Sequence, residues 1–208
     1  MLDVDAPEVP HRDGRSTPAG LAAAVGAGVL VGGLTSFGQT YLDGTLIPLV
    51  NSASAWLVVP FLIGAVMRTA PAGASAGVLC CLSQVAGYYV TANLRGFPAS
   101  RSFILFWTVC ALVGGPVFGA AGQLWRRGPE RLAAPASMVL PAAFLAEGIW
   151  VYAVDLGYVG SAVFWITVGI VLAVLLPRRW AWLRWLPVTT AIGIAGEVVL
   201  SQIHSQAF

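Results

Sequence analysis

Two carboxylates interrupt parts of the chain that are otherwise apolar. Glu147 is the only Asp, Glu, Lys or Arg in residues 132–154, and Glu197 is the only one in residues 185–208. A charged side chain in the middle of a membrane costs about 2.5–3.5 kcal/mol or more, so it should face the interior of a helix bundle or a cavity. We therefore expect each acid either to keep its proton in a hydrogen bond or to bind a cation.

Further polar residues at helical spacing join these two acids in a candidate site. Gln84 and Tyr88 are four residues apart and share one face of a helix, as Glu197 and Ser201 do. Asn51 could approach the same region from a further apolar stretch. The candidate residues for binding a solute or a proton are Glu147, Glu197, Gln84, Tyr88, Asn51 and Ser201.

The spacing of three of these residues also predicts a common depth. Gln84, Glu147 and Glu197 follow prolines near the starts of their stretches by 13, 12 and 10 residues. At 1.5 Å per residue they lie roughly 15–20 Å into a hydrocarbon core about 30 Å thick. We expect their side chains to face one interior space near the middle of the membrane.

The elements that must position these residues are membrane-spanning helices. Of 208 residues, 58% are hydrophobic and 10% are charged, whereas about a quarter of a soluble domain is charged. Five stretches without Asp, Glu, Lys or Arg and two with a single Glu are each long enough for a span of about 20 residues. These stretches are 16–42, 44–67, 69–94, 102–125, 132–154, 156–177 and 185–208.

We therefore predict an all-α polytopic bundle of seven transmembrane helices. The second stretch is the weakest, because Asn51-Ser-Ala-Ser54 interrupts it. In a six-helix alternative, residues 44–53 are re-entrant or interfacial. Residues 1–17 are predicted to be a disordered cytoplasmic tail, and residues 18–208 a single transmembrane domain.

The arginines predict the orientation of the bundle. With the N-terminus in the cytoplasm, the inner segments hold nine of the arginines, and the outer segments hold only Arg95 and Arg101. An excess of basic residues marks the cytoplasmic side, so we expect the N-terminus inside, the C-terminus outside and the bacterial inner membrane as the location. The net charge of +2 without a basic cluster argues against a nucleic-acid partner.

Catalytic motifs are not found in a credible context. Gly73-Ala-Ser-Ala-Gly77 matches the nucleophile-elbow pattern, but it opens a membrane helix instead of joining a strand to a helix. The three cysteines lie in apolar runs without metal-binding spacing. We predict no enzyme activity, no cofactor and no metal. Gly28-x-x-x-Gly32 and Gly115-x-x-x-Gly119 are instead typical of close helix packing in membranes.

Several segments in order resemble a family of uncharacterised bacterial multi-pass membrane proteins of about this length, a domain of unknown function. The segments are Asn51-Ser-Ala-Ser-Ala-Trp-Leu-Val-Val-Pro-Phe-Leu-Ile-Gly64, Ala86-Gly-Tyr-Tyr89, Gly114-Gly-Pro-Val-Phe-Gly-Ala-Ala-Gly122 and Ala146-Glu-Gly148. The resemblance implies a membrane protein and a helical fold, and no known activity. A looser similarity, in size and helix number alone, is to the substrate-binding membrane subunits of vitamin uptake transporters.

The leading functional hypothesis is that the protein binds or permeates a small solute, such as a cation, in a polar pocket open toward the outer side or gated. The alternative is a structural or assembly subunit of a membrane complex, whose polar residues only join helices. Its partners are then the lipid bilayer and a further membrane subunit. If Glu147 is only a protonated structural acid, Gln should replace it with little loss.

The predicted topology can be checked with reporter fusions. Fusions at Arg127 and Arg179 should report a cytoplasmic position, and fusions at Arg95 and after Phe208 an external one, because basic residues remain on the cytoplasmic side. A cytoplasmic reporter after Phe208 would remove one span and contradict the seven-helix prediction.

Overall fold

A computed structural model describes the backbone of residues 16–207 and the side chains of residues 18–203. The predicted tail, residues 1–17, lies outside the described residues apart from the two that begin the first helix. The described part is helical throughout, with no strand. Its α-helices are α1 (Ser16–Tyr41), α2 (Pro48–Asn51), α3 (Ala53–Val66), α4 (Ala70–Leu94), α5 (Arg101–Arg127), α6 (Glu130–Glu147), α7 (Val159–Leu175) and α8 (Leu186–Ala207). Short 3₁₀ segments occupy Gly44–Leu46 and Trp180–Trp185, and α6 continues as π-helical turns over Gly148–Asp155.

The helices confirm an all-α membrane fold. Five of them are long and apolar enough to cross a membrane, and the broken pair Gly44–Asn51 and Ala53–Val66 makes up to six. The helix Val159–Leu175, in the stretch predicted as the sixth span, has 17 residues, which is the lower limit for crossing a bilayer. The count of seven spans stays a prediction.

The predicted second span is broken where the sequence is polar. Ser52 has φ −110° and ψ 135°, an extended conformation that ends α2 and begins α3. The two segments meet at an angle of 47°. The interruption expected at Asn51-Ser-Ala-Ser54 is therefore a true break in the helix.

Glycines bring the backbones of α3, α4 and α5 into direct contact. A Cβ added to Gly119 would meet the carbonyl of Gly73, and a Cβ on Gly77 would meet that of Gly115. Between α1 and α4, Gly28 and Gly32 lie against the backbone of residues 80–88 in the same way. Both predicted glycine motifs thus lie at close helix contacts, the arrangement that small residues permit in membranes.

The arginines near the helix termini lie at two opposite ends of the bundle. At one, which we call the Arg126 end, the Arg178 guanidinium donates to the Arg126 carbonyl and Arg179 forms an ion pair with Glu130. Gln123 Nε2 donates to the Arg68 carbonyl at the same end, 3.1 Å away. At the opposite end, the Arg95 end, the Arg95 guanidinium donates to the Ser36 and Thr40 hydroxyls. The structure therefore separates these arginines as the sequence predicts, while the side that faces the cytoplasm stays a prediction.

Gly119→Ala should destabilise the protein, because the new methyl group would overlap the backbone of α4, and overpacking costs about 1–3 kcal/mol. Gly26→Ala is the matched control, since a Cβ there meets nothing within 4 Å. The measurement is the melting temperature of the purified protein in detergent. Equal melting temperatures for the two variants would contradict this account of the packing.

Candidate functional site

Glu147 lies against the break between α2 and α3. One carboxylate oxygen, Oε1, accepts the Ala53 N–H at 3.1 Å, and the other, Oε2, accepts the Ser54 N–H at 3.0 Å. The Ser52 and Ser54 hydroxyls also donate to Oε2, the former over 2.5 Å. The side chain is 4% exposed, so this carboxylate is saturated with donors from its own chain.

The break explains why these donors exist. The first N–H groups of any helix lack a partner within the helix, and no water is present in the hydrocarbon core to supply one. At the start of α3, Glu147 accepts the first two of these N–H groups, and the Ser52 hydroxyl accepts the third, from Ala55, at 3.3 Å. The positive end of the helix dipole also stabilises a negative charge at this position.

Trp165 of α7 closes the cluster. Its indole N–H lies 2.8 Å from the Ser54 hydroxyl and 3.2 Å from Glu147 Oε2. Trp165 is 1% exposed and packs against Phe144 and Tyr152. Three separate parts of the chain, α3, α6 and α7, therefore meet at one carboxylate.

These contacts revise the expectation for Glu147. The sequence predicted a retained proton or a bound cation, and did not consider a helix N-terminus as the partner. Nor does Glu147 line the cavity described next, so it does not share one interior space with Gln84 and Glu197. Its position is that of a helix cap.

A cavity of about 740 Å³ lies beside the break. It extends from the Arg95 end, where Gln39, Asn51 and Ala99 line it, to Cys81 and Gly114. Beyond that depth, the contact between Gly77 and Gly115 closes the bundle. A volume of this size suits a small molecule.

The cavity also opens sideways. Val109 and Val113 of α5 and Val199 and Ile203 of α8 line it, and all four are at least half exposed. Helix α8 packs mainly on α6, which leaves a gap toward α5. The site is therefore accessible both from the Arg95 end and from the lipid-facing side.

Gln84 lines the cavity from α4 and is fully buried. Its amide Nε2 donates to the Trp56 carbonyl at 3.0 Å. In a regular helix that carbonyl accepts the N–H of the residue four positions later, but that residue is Pro60, which has no N–H. Gln84 thus replaces a missing helical hydrogen bond, while its own Oε1 has no hydrogen-bond partner among the described residues.

Glu197 lines the same cavity from α8. It makes no hydrogen bond or ion pair with the described residues, and none of the described arginines lines the cavity. Unlike Glu147, it is a carboxylate without a donor.

Tyr88 and Asn51 belong to a chain of hydrogen bonds at the mouth of the cavity. The Tyr88 hydroxyl donates to Gln39 Oε1 at 2.6 Å, and Gln39 Nε2 donates to Asn51 Oδ1 at 2.5 Å. All three residues line the cavity. Ser201 is half-buried on α8 but does not line it.

The structure thus brings four of the six predicted site residues to one cavity: Gln84, Glu197, Tyr88 and Asn51. Sequence reasoning missed the aromatic walls formed by Trp56 and Trp107, and the role of Trp165. The sequence analysis also did not pair the polar segment Ser52–Ser54 with Glu147, although each is a polar interruption of an apolar stretch. Among the described residues, no group of three or more His, Cys, Asp or Glu could hold a metal ion.

Glu147→Gln should lower stability even though it preserves size, contrary to the expectation from the sequence. An amide nitrogen cannot accept a hydrogen bond, so either the Ala53 or the Ser54 N–H is left unpaired, at a cost of about 1–3 kcal/mol. Glu130→Gln is the matched control, because its ion pair is exposed and such pairs contribute about 0–1 kcal/mol. A Glu147→Gln protein that melts like the parent in detergent would show that the cap is dispensable.

Comparison with known proteins identifies the family and no activity. No curated protein and no solved structure matches the chain. The model of the family of unknown function DUF6518 matches residues 11–206, nearly the whole length, in agreement with the resemblance noted in the sequence. The chain is therefore a member of the DUF6518 family of unknown function.

Proposed function

We propose that this membrane protein binds a small solute in the cavity between α3, α4, α5 and α8, as a binding or permeation protein. The observation that carries the proposal is that Glu197 and Gln84 both line this cavity. The buried Gln84 Oε1 has no hydrogen-bond partner among the described residues, and Glu197 makes no hydrogen bond or ion pair with them. Unpaired acceptors in an apolar setting are costly, and a bound solute would supply their donors.

The proposed route of entry is from the Arg95 end or from the lipid between α5 and α8. In this proposal the chain crosses a bacterial inner membrane several times. With the predicted orientation, the Arg95 end lies on the outer side of that membrane. Passage to the other side would require separation of the glycine-packed half, where α4 and α5 touch at Gly77 and Gly115. Binding therefore needs no rearrangement, whereas permeation does.

The alternative function is that of a structural or assembly subunit in a larger membrane complex. The Glu147 cluster supports this alternative, because the hydrogen bonds of that carboxylate are fully used in joining α3, α6 and α7. The two functions differ in whether the cavity is required, because a structural subunit that binds no solute does not need a cavity.

Filling the cavity provides the test. A Cβ on Gly114 approaches only the Leu57 side chain, at 3.4 Å, so Gly114→Leu should occupy cavity space without a backbone clash. Gly196→Leu is the matched control, because Gly196 does not line the cavity and its Cβ would meet nothing within 4 Å.

The measurement is the melting temperature in detergent with a panel of cationic, neutral and anionic small molecules. A bound solute stabilises the folded state, by about 2.7 kcal/mol at a hundred times its dissociation constant. We expect at least one compound to stabilise the parent and Gly196→Leu but not Gly114→Leu. If no compound shows this difference, the cavity is not a solute site and the assembly role is favoured.

A further inference from the structure

We infer that the solute is an organic ammonium ion with an apolar body and at least one N–H group. This inference rests on the proposed function and specifies its ligand. Such a ligand matches the aromatic residues of the cavity, the single carboxylate among its described lining residues and the unpaired amide oxygen of Gln84.

The aromatic walls enclose the cavity on several sides. Trp56 lies 5.9 Å from Tyr88, with their rings inclined at 63°, and 6.5 Å from Trp107. Tyr88 and Tyr89 are 4.9 Å apart and nearly perpendicular, at 84°. All four rings line the cavity. The rings of Trp56 and Trp107 are inclined at 41°. Because neighbouring rings are inclined to one another, they form differently oriented surfaces and not one flat stack.

Such walls favour a cation with apolar substituents. The face of an aromatic ring attracts positive charge, and an ammonium ion held among several rings is a well-established case of this attraction. The remaining lining is largely aliphatic, with Leu57, Val85 and Leu200 among its members. An apolar body attached to the charged group would therefore be buried as well.

Glu197 gives the cavity its charge preference. It is the only carboxylate among the described residues lining the cavity, and no described arginine opposes it. Arg95, at the mouth end, is occupied by Ser36, Thr40 and the ring of Phe37, 4.4 Å from its guanidinium carbon. A cationic ligand would thus meet a carboxyl group without competition from a basic side chain.

Gln84 distinguishes an ammonium ion with an N–H from a fully substituted one. Its amide nitrogen is committed to the Trp56 carbonyl, and its Oε1 is buried without a hydrogen-bond partner among the described residues. An oxygen of this kind can only accept a hydrogen bond. The Gln84 oxygen and the Glu197 carboxylate are both hydrogen-bond acceptors, so a ligand that pairs with them must be a donor. A protonated amine supplies both the charge and the donor.

The test compares benzylammonium with benzyl alcohol, which replaces the charged group by a neutral donor of similar size. Binding is measured by titration calorimetry on the full-length protein in maltoside micelles, with empty micelles as the blank. We expect benzylammonium to bind at least tenfold more tightly than the alcohol. Glu197→Gln should remove at least tenfold of the ammonium affinity and leave the alcohol unchanged, and Glu130→Gln, which removes an exposed charge at the other end, should change neither.

Equal binding of the two probes, or an ammonium affinity unchanged in Glu197→Gln, would overturn the inference. If both probes bind equally and Gly114→Leu abolishes both, the cavity remains a solute site and only the charge preference is wrong. If neither probe binds, the ammonium inference is wrong, and the solute panel with Gly114→Leu decides the proposed function separately.

Two further comparisons refine the ligand. Benzyldimethylammonium should bind more tightly than benzyltrimethylammonium, which has no N–H for Gln84; equal affinity would overturn the role of that oxygen. A free amine and the headgroup of phosphatidylethanolamine share this chemistry. Displacement of benzylammonium by short-chain phosphatidylethanolamine, but not by phosphatidylglycerol, identifies the lipid as the source, and displacement by neither identifies the free amine.

Discussion

Backbone N–H groups exposed by a broken helix inside a membrane need acceptors, and water cannot provide them there. The architecture around the site follows from this constraint at the start of α3. Glu147 and Ser52 satisfy the first three N–H groups of that helix. Because Glu147 belongs to α6 and its neighbour Trp165 to α7, the cap also fixes both helices relative to the break.

The same rule explains Gln84. Pro60 removes one helical hydrogen bond from α3, and the freed carbonyl of Trp56 receives the Gln84 amide from α4. Two irregularities of a single helix, a broken start and an internal proline, are therefore corrected by side chains from other helices. The hydrogen bond that compensates for Pro60 uses only the Gln84 amide nitrogen, so the amide oxygen keeps no partner among the described residues.

Side-chain size divides the interior of the bundle. Toward the Arg126 end, Gly73, Gly77 and Gly119 allow backbones to touch, and no space remains between α4 and α5. Toward the Arg95 end, large aromatic residues such as Trp56 and Trp107 hold the helices apart and enclose the cavity. The cavity is thus closed toward the Arg126 end, so that permeation would require a rearrangement of the helices that binding does not.

The class of the protein and its unusual polar residues can be predicted without a structure. Apolar length and sparse charge predict membrane helices, glycine spacing predicts their close contacts, and Glu147, Glu197 and Gln84 stand out because buried polar groups are costly. These properties depend on composition and on local spacing, which a sequence displays directly. The break at Asn51-Ser-Ala-Ser54 was visible for the same reason.

The partner of each polar residue depends on how the helices pack and is not predictable from local sequence. Glu147 and Glu197 are equivalent in the sequence, since both are single acids in apolar helices at a similar depth. The difference arises because Glu147 faces N–H groups at residues 53 and 54, more than 90 positions earlier in the chain, whereas Glu197 faces a cavity. Partners so distant along the chain depend on how the helices pack and rotate, and neither periodicity nor hydropathy contains that information.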